Sequence, residues 1–137
     1  MASSYGCDFT NKVTYTLLLL TAEIVEYLDG DGRSPFGLWF DRLPAAAAAK
    51  VAVAIERIGR GPLGDVKSIG GGVSERRIDF GPGYRIYFAS IKIENVIRIV
   101  VLLGGGTKRR QDKDIGIARH RWKALKTRRQ RGKHSWH

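Results

Sequence analysis

The chain has 137 residues, 43% of them hydrophobic and 27% charged, enough for one domain that buries its own core without disulfides or metal. Its single cysteine, Cys7, excludes an internal disulfide and any multi-cysteine metal site, which suits a reducing cytoplasm. The net charge of +11 is lopsided: residues 1–103 hold 12 Lys/Arg against 11 Asp/Glu, residues 104–137 hold 12 against 2, and such a local field attracts polyanions.

Taken in chain order, the run Val13–Leu20 is too short for a membrane span of roughly 20 apolar residues and is followed by Glu23 and Glu26, so a buried strand is predicted there, with no membrane partner. Ala22–Leu28, rich in β-branched and aromatic residues, predicts a strand that ends at the turn "DGDG". A helix then begins at Ser34 as N-cap with Pro35 in its first position, and Phe36, Trp39, Phe40 and Leu43 form an apolar stripe. After Pro44, "AAAAAKVAVAIERIG" predicts a second helix with Val51, Ile55 and Ile58 inward and Gly59 as its C-terminal glycine. The pair makes a helical hairpin.

From Gly61 onward strands and glycine turns dominate. "GPLGDVKSIGGG" reads as a loop, and "VSERRIDF" and "YRIYFASI" read as a hairpin across the tight turn "GPG". Tyr84, Ile86 and Phe88 share one face of the second strand, Arg85 and Tyr87 the other. "VIRIVVLL" predicts the central strand, ended by the glycines of "GGGTKRR", and a last helix is expected from about Asp112 to Lys126 with Ile115, Ala118, Trp122 and Leu125 inward. The expected architecture is α+β, with helices on one face of a small antiparallel sheet. Residues 1–21 form an extra N-terminal segment, residues 22–126 the domain, and residues 127–137 a flexible basic tail.

Several chemistries fail on spacing. "VLLGGGTKRR" lacks the glycine before Lys108 and the hydroxyl after it that a nucleotide phosphate loop needs, and "GRGPLG" carries a proline and follows a helix. Of three histidines only His120 lies in a predicted element, between Arg119 and Arg121, so no metal site and no cofactor are expected. What remains is a set of cations on strands and turns: Lys67, Arg77, Arg85 and Lys108, with Tyr87 on the arginine face. Arg77 and Arg85 stand on two arms of one hairpin, and cations gathered on one face suit a phosphodiester.

The stretches "VEYLDGDGRSPFGLWFDRL", "GDVKSIGGGVSERRIDFGPGYRIYF" and "VVLLGGGTKRRQDKDI", spanning about Glu23 to Trp122, resemble the addiction-module killer proteins, a HigB-like branch of the RelE/ParE toxin superfamily. The resemblance implies a RelE/ParE-like fold and a cytoplasmic type II toxin silenced by a cognate antitoxin of helix-turn-helix type, with operator DNA met only through that antitoxin. It further implies cleavage of mRNA on the ribosome by attack of the RNA's own 2′-OH. Matched position by position, the resemblance carries over to Arg85, Arg77, Lys67, Lys108, Arg109, Gln111 and Asp114; Arg85, Lys108, Arg77, Lys67 and Tyr87 are expected to carry the chemistry, and Arg109, Arg110, Gln111, Arg76 and Lys123 to bind RNA. Lys67 or Lys108 would exchange a proton, and Tyr87 would orient or stack a base. Two motifs depart from the family pattern, at three positions: Ser74 and Arg76 stand where apolar residues are expected, and Thr107 where an acidic one is. A ParE-like gyrase inhibitor, or a protein that only binds antitoxin or nucleic acid, is the competing expectation.

Overall fold

The computed structural model describes residues 22–61, 65–94 and 97–135. Cys7 and the strand expected at Val13–Leu20 lie outside them, as does the rest of the N-terminal segment.

Ser34 accepts a hydrogen bond from the Gly37 amide at 2.8 Å, and with Pro35 at the first position it starts helix α1, Pro35–Asp41, where expected. The aromatic stripe packs on itself: Phe36 lies 5.7 Å from Trp39 and 5.9 Å from Phe40, ring centre to ring centre. Helix α2, Ala45–Arg60, follows with Pro44 as its N-cap residue. Gly59 is not its cap but lies inside the last turn, buried against Ile24; Gly61, at φ 140°, ends the helix.

Five strands make one sheet: β1 (Glu23–Glu26), β2 (Val66–Gly70), β3 (Val73–Ile78), β4 (Tyr84–Ile93) and β5 (Ile97–Thr107), in the order β1-β5-β4-β3-β2. The expectation of an antiparallel sheet is corrected here. β1 runs parallel to β5, Glu23 opposite Ile99, while the other three pairings are antiparallel. β1 and β2 occupy opposite edges, so the helical hairpin between them carries the chain across one face, and the β2–β5 meander brings it back. A connection of that length is what a parallel pair requires. β2 itself was expected to be a loop. It is an edge strand with a register shift between Ser68 and Gly70 and only Val66 and Ile69 half-buried, so it shows no apolar alternation to read.

The helices cover both faces rather than one. Phe36, Ala47, Val51, Ala54 and Ile58 pack with Ile78, Tyr84, Ile86, Phe88, Val100 and Leu102 on one side. On the other, Ala118 and Trp122 pack with Tyr27, Val73, Tyr87, Ala89, Val101 and Leu103, all from the sheet or its edge. The strands alternate between these layers, which is why β4 is buried continuously from Tyr84 to Ala89.

Helix α3, Gln111–Ser135, is preceded by a 3₁₀ turn, Lys108–Arg110. It replaces the flexible tail expected from residue 127. The segment has no apolar period, but its Arg, Gln and Lys are good helix formers, and Arg128 ties it down by donating to the Leu28 carbonyl at 3.0 Å and lying 5.2 Å from the Tyr27 ring centre. The β5 glycines are likewise not a turn. Gly104, Gly105 and Gly106 pair in register with Tyr87, Ile86 and Arg85 of β4, and the turn comes only at Lys108.

Candidate RNA-binding face

Why three glycines should sit in the last paired stretch of β5, past the end of β1, follows from what lies on either side of them. A side chain at Gly105 would overlap the Trp39 ring of α1, one at Gly106 would overlap the Asp114 carboxylate of α3, and one at Gly104 would come within 2.7 Å of the Arg121 guanidinium. The glycines therefore let both helical layers close onto β5 at one place. They deliver Asp114, Arg121 and the basic turn to the end of the sheet.

Register decides which cations meet. Lys67 pairs with Glu75, Glu75 with Tyr87 and Tyr87 with Gly104; in the next row but one, Arg77 pairs with Arg85 and Arg85 with Gly106. Residues opposite one another, and residues two apart on one strand, share a face. Lys67, Glu75, Arg77, Arg85 and Tyr87 thus lie on the α3 side; alternation predicted the shared face of Arg85 and Tyr87, whereas Lys67 was expected in a loop. The Lys108 amide donates to the Gly83 carbonyl at 2.8 Å, fixing the basic turn beside the β3–β4 hairpin.

Burial separates this set into two groups. Arg85 is 6% exposed and its guanidinium donates to a Glu75 carboxylate oxygen at 3.0 Å; Glu75 is 0% exposed. Gln111, at the start of α3, donates to both Glu75 oxygens at 3.0 and 3.3 Å. Tyr87 is 1% exposed, and its hydroxyl lies near Glu75 without the geometry of a formed hydrogen bond. Burial raises the phenol's pKa well above its ordinary value, with the Glu75 charge adding to the effect. Tyr87 therefore stays a protonated donor.

The second group is exposed: Lys67, Arg77, Lys108, Arg109 and Arg110. Arg77 donates to Asp65 at 2.7 Å, and that hydrogen bond raises its pKa. Both partners are about half exposed, so the pair holds the guanidinium in place without fixing it strongly. Arg110 approaches Asp114 only to 4.0 Å.

Two residues expected at the RNA surface are placed elsewhere. Arg76 is buried and belongs to the opposite face, where it lines a groove with Lys50 and Arg57 of α2; burial lowers its pKa. The cause is the two-residue period of β3, which sends Arg76 and Arg77 to different layers. Lys123 is exposed, but lines a cleft with Tyr27, His120, Arg128 and Arg131 along the middle of α3.

The chain is 44% identical over 85 residues to an uncharacterized protein of Haemophilus influenzae, a match covering 61% of this chain and 82% of that one. It belongs to the family of that protein. No family model matches the chain, and no solved structure matches it.

Three residues of the site, Glu75, Asp114 and Arg121, were not among those expected to carry the chemistry or bind RNA. A carboxylate alternating with arginines was the available signal for Glu75; what it lacked was the knowledge that α3 covers that face. Asp114, Arg121, Tyr87, Gly104 and Pro35 together line a polar cleft of about 170 Å³. Burial raises the pKa of Asp114 and lowers that of Arg121. Among the described residues no group of three or more His, Cys, Asp or Glu is placed to hold a metal ion, and no helix is long and apolar enough to cross a membrane.

Proposed function

We propose that this chain is the toxin of a type II toxin–antitoxin pair, with a RelE/ParE-like fold, and acts as an endoribonuclease on ribosome-bound mRNA. The observation that carries the reading is the exposed cation rim. Arg77 stands at the end of β3, Lys108 is hydrogen-bonded to the hairpin turn beside it, Arg109 and Arg110 follow, and Lys67 lies two residues away in register on the same face. Five exposed cations on neighbouring elements, of which, among the described residues, only Arg77 is closely paired, through the half-exposed Asp65, suit the backbone of single-stranded RNA. The resemblance in "GDVK", "GPGYR" and "TKRRQDKDI" supplies the direction from RNA binding to RNA cleavage.

In this mechanism the 2′-hydroxyl gives up its proton to water as its oxygen attacks phosphorus, the bond to the 5′-oxygen breaks, and the 5′-oxygen takes a proton, leaving a 2′,3′-cyclic phosphate and a 5′-hydroxyl. Arg77 and Arg109 hold the phosphate oxygens as negative charge grows on them, and Lys108 or Lys67 supplies the proton. Arg85 and Tyr87 act from below: Arg85 is committed to Glu75, and Tyr87 is too buried to stack a base. The set contains an acid and charge stabilisers but no strong base, which fits a catalyst that relies on the ribosome to align the 2′-hydroxyl. An antitoxin that covers the rim would silence it.

The test is induced expression with primer extension on cellular mRNA. Wild-type chain should arrest growth and generate new mRNA ends; the double variant Arg77→Ala, Lys108→Ala should abolish the ends while remaining folded, since both side chains are exposed. One observation favours the gyrase reading: the buried state of Arg85 and Tyr87 leaves fewer groups for chemistry than for binding. Growth arrest with intact mRNA and altered plasmid supercoiling would establish that alternative.

A further inference from the structure

The cleft between β5 and the start of α3 is smaller than the roughly 300 Å³ at which clefts for whole drug-sized ligands begin, so at about 170 Å³ it accommodates one planar ring system and not a nucleotide. Gly104 and Gly105 line it with backbone alone, the Arg121 guanidinium lying over Gly104, and Pro35 and Ile117 line it with apolar carbon. Glycine backbone and apolar carbon leave room there for a flat heterocycle.

The polar groups are unusually specific about which one. Asp114 contributes only acceptors, and among the described residues its carboxylate has no closer cation than Arg110 at 4.0 Å. Arg121 contributes only donors; one N–H goes to the Leu103 carbonyl at 2.8 Å and others remain for a ligand. Tyr87, whose hydroxyl is buried and without a formed hydrogen bond, lines the same cleft. A fitting ring must present two adjacent donors to the carboxylate and an acceptor to the arginine and phenol. Guanine does so with N1–H, the 2-amino group and O6. Adenine, cytosine and uracil each place a lone pair beside their donor on that edge and would set it against the carboxylate.

We propose that this cleft binds a guanine base, with Asp114 accepting from N1–H and the 2-amino group and Arg121 and Tyr87 donating to O6. This rests on the RNA reading above and deepens it: a guanine turned out of the message would be held beside the cation rim, since Arg110 belongs to both. The base identity would then direct where the rim meets the backbone.

The experiment uses the full chain and nucleoside 5′-monophosphates, followed by calorimetry and by amide chemical shifts. GMP should bind at least about tenfold tighter than inosine monophosphate, which lacks the 2-amino group, and tighter still than AMP, with shifts centred on Gly104, Gly105 and Ile117. Asp114→Asn, nearly isosteric, should remove the difference between GMP and inosine monophosphate. Equal binding of GMP and AMP, or shifts confined to Lys108 and Arg109 as for a phosphate alone, would overturn the proposal. The two readings fail separately. RNA cut with no guanine preference and no GMP binding leaves the nuclease standing without this pocket; GMP binding without RNA cleavage leaves the pocket standing without the nuclease.

Discussion

Glu75 and Arg85 form a buried ion pair whose value to the fold lies less in the attraction than in the cost of breaking it. Removing Arg85 strands a carboxylate with no water around it and only Gln111 to donate to it. Arg85→Ala should therefore lose about 3–5 kcal/mol in urea denaturation, and its loss of activity would report unfolding as much as chemistry. Arg77 and Lys108 are the cleaner probes. Asp114 tells the opposite story. Burial raises its folded pKa above the ordinary 3.8, so the folded state binds that proton more tightly than the unfolded chain does. Its contribution to stability is present below the unfolded pKa and is lost as pH rises through the folded one. Asp114→Asn should melt higher than wild type at pH 7, and thermal melts of the two should converge below about pH 3.8. A residue that costs stability at neutral pH, in a cleft, is better placed to meet a ligand than to hold the fold.

Among the elements, the run Gly104–Gly106 shows where local reading stops. Three glycines between an apolar run and a basic one signal a turn to any short-range argument, because glycine is the residue that turns tolerate best. Here their reason is tertiary. The missing side chains are space for Trp39, Asp114 and Arg121, which arrive from opposite faces and distant parts of the chain. Gly105→Ala should lose about 1–3 kcal/mol or more in urea denaturation through its clash with Trp39. Gly30→Ala, where the added carbon would meet nothing, is the control that should stay near wild type. By contrast α1 and the β3–β4 hairpin were readable because their signals are local: a cap, a proline, an aromatic stripe and a two-residue alternation. The face shared by Arg77, Arg85 and Tyr87 was readable for the same reason, while Lys67, expected in a loop, joins it only through the pairing of β2 with β3. Which of them α3 would bury was not, since that depends on a helix packing across the sheet. The length of α3 was missed because its last turns carry no apolar face, and Arg128 anchors them through a carbonyl and a ring instead.

At the scale of the molecule, the charge asymmetry takes a definite shape. The excess of Lys and Arg after residue 104 is spread along α3 and the turn before it, from the cation rim past the cleft of His120 and Arg131. RNA affinity should fall steeply with salt, each neutralised phosphate contributing about −0.7 to the slope of log K against log salt for a single strand. Arg77→Ala with Lys108→Ala should flatten that slope by roughly 1–2 in filter-binding titrations, leaving the residual slope from the α3 cations.

The pairing of β1 with β5 has a temporal side. Glu23 lies beside Ile99, so the first described strand finds its neighbour only when nearly the whole sheet exists. Closing a loop of that size is slow compared with zipping the β3–β4 hairpin, and a chain emerging from the ribosome cannot seat β1 until β5 has left the exit tunnel. The basic turn and α3 come later still. If, as proposed, the chain acts on messages being translated, the order of strands in the sheet postpones the cationic surface until translation of its own message is almost complete.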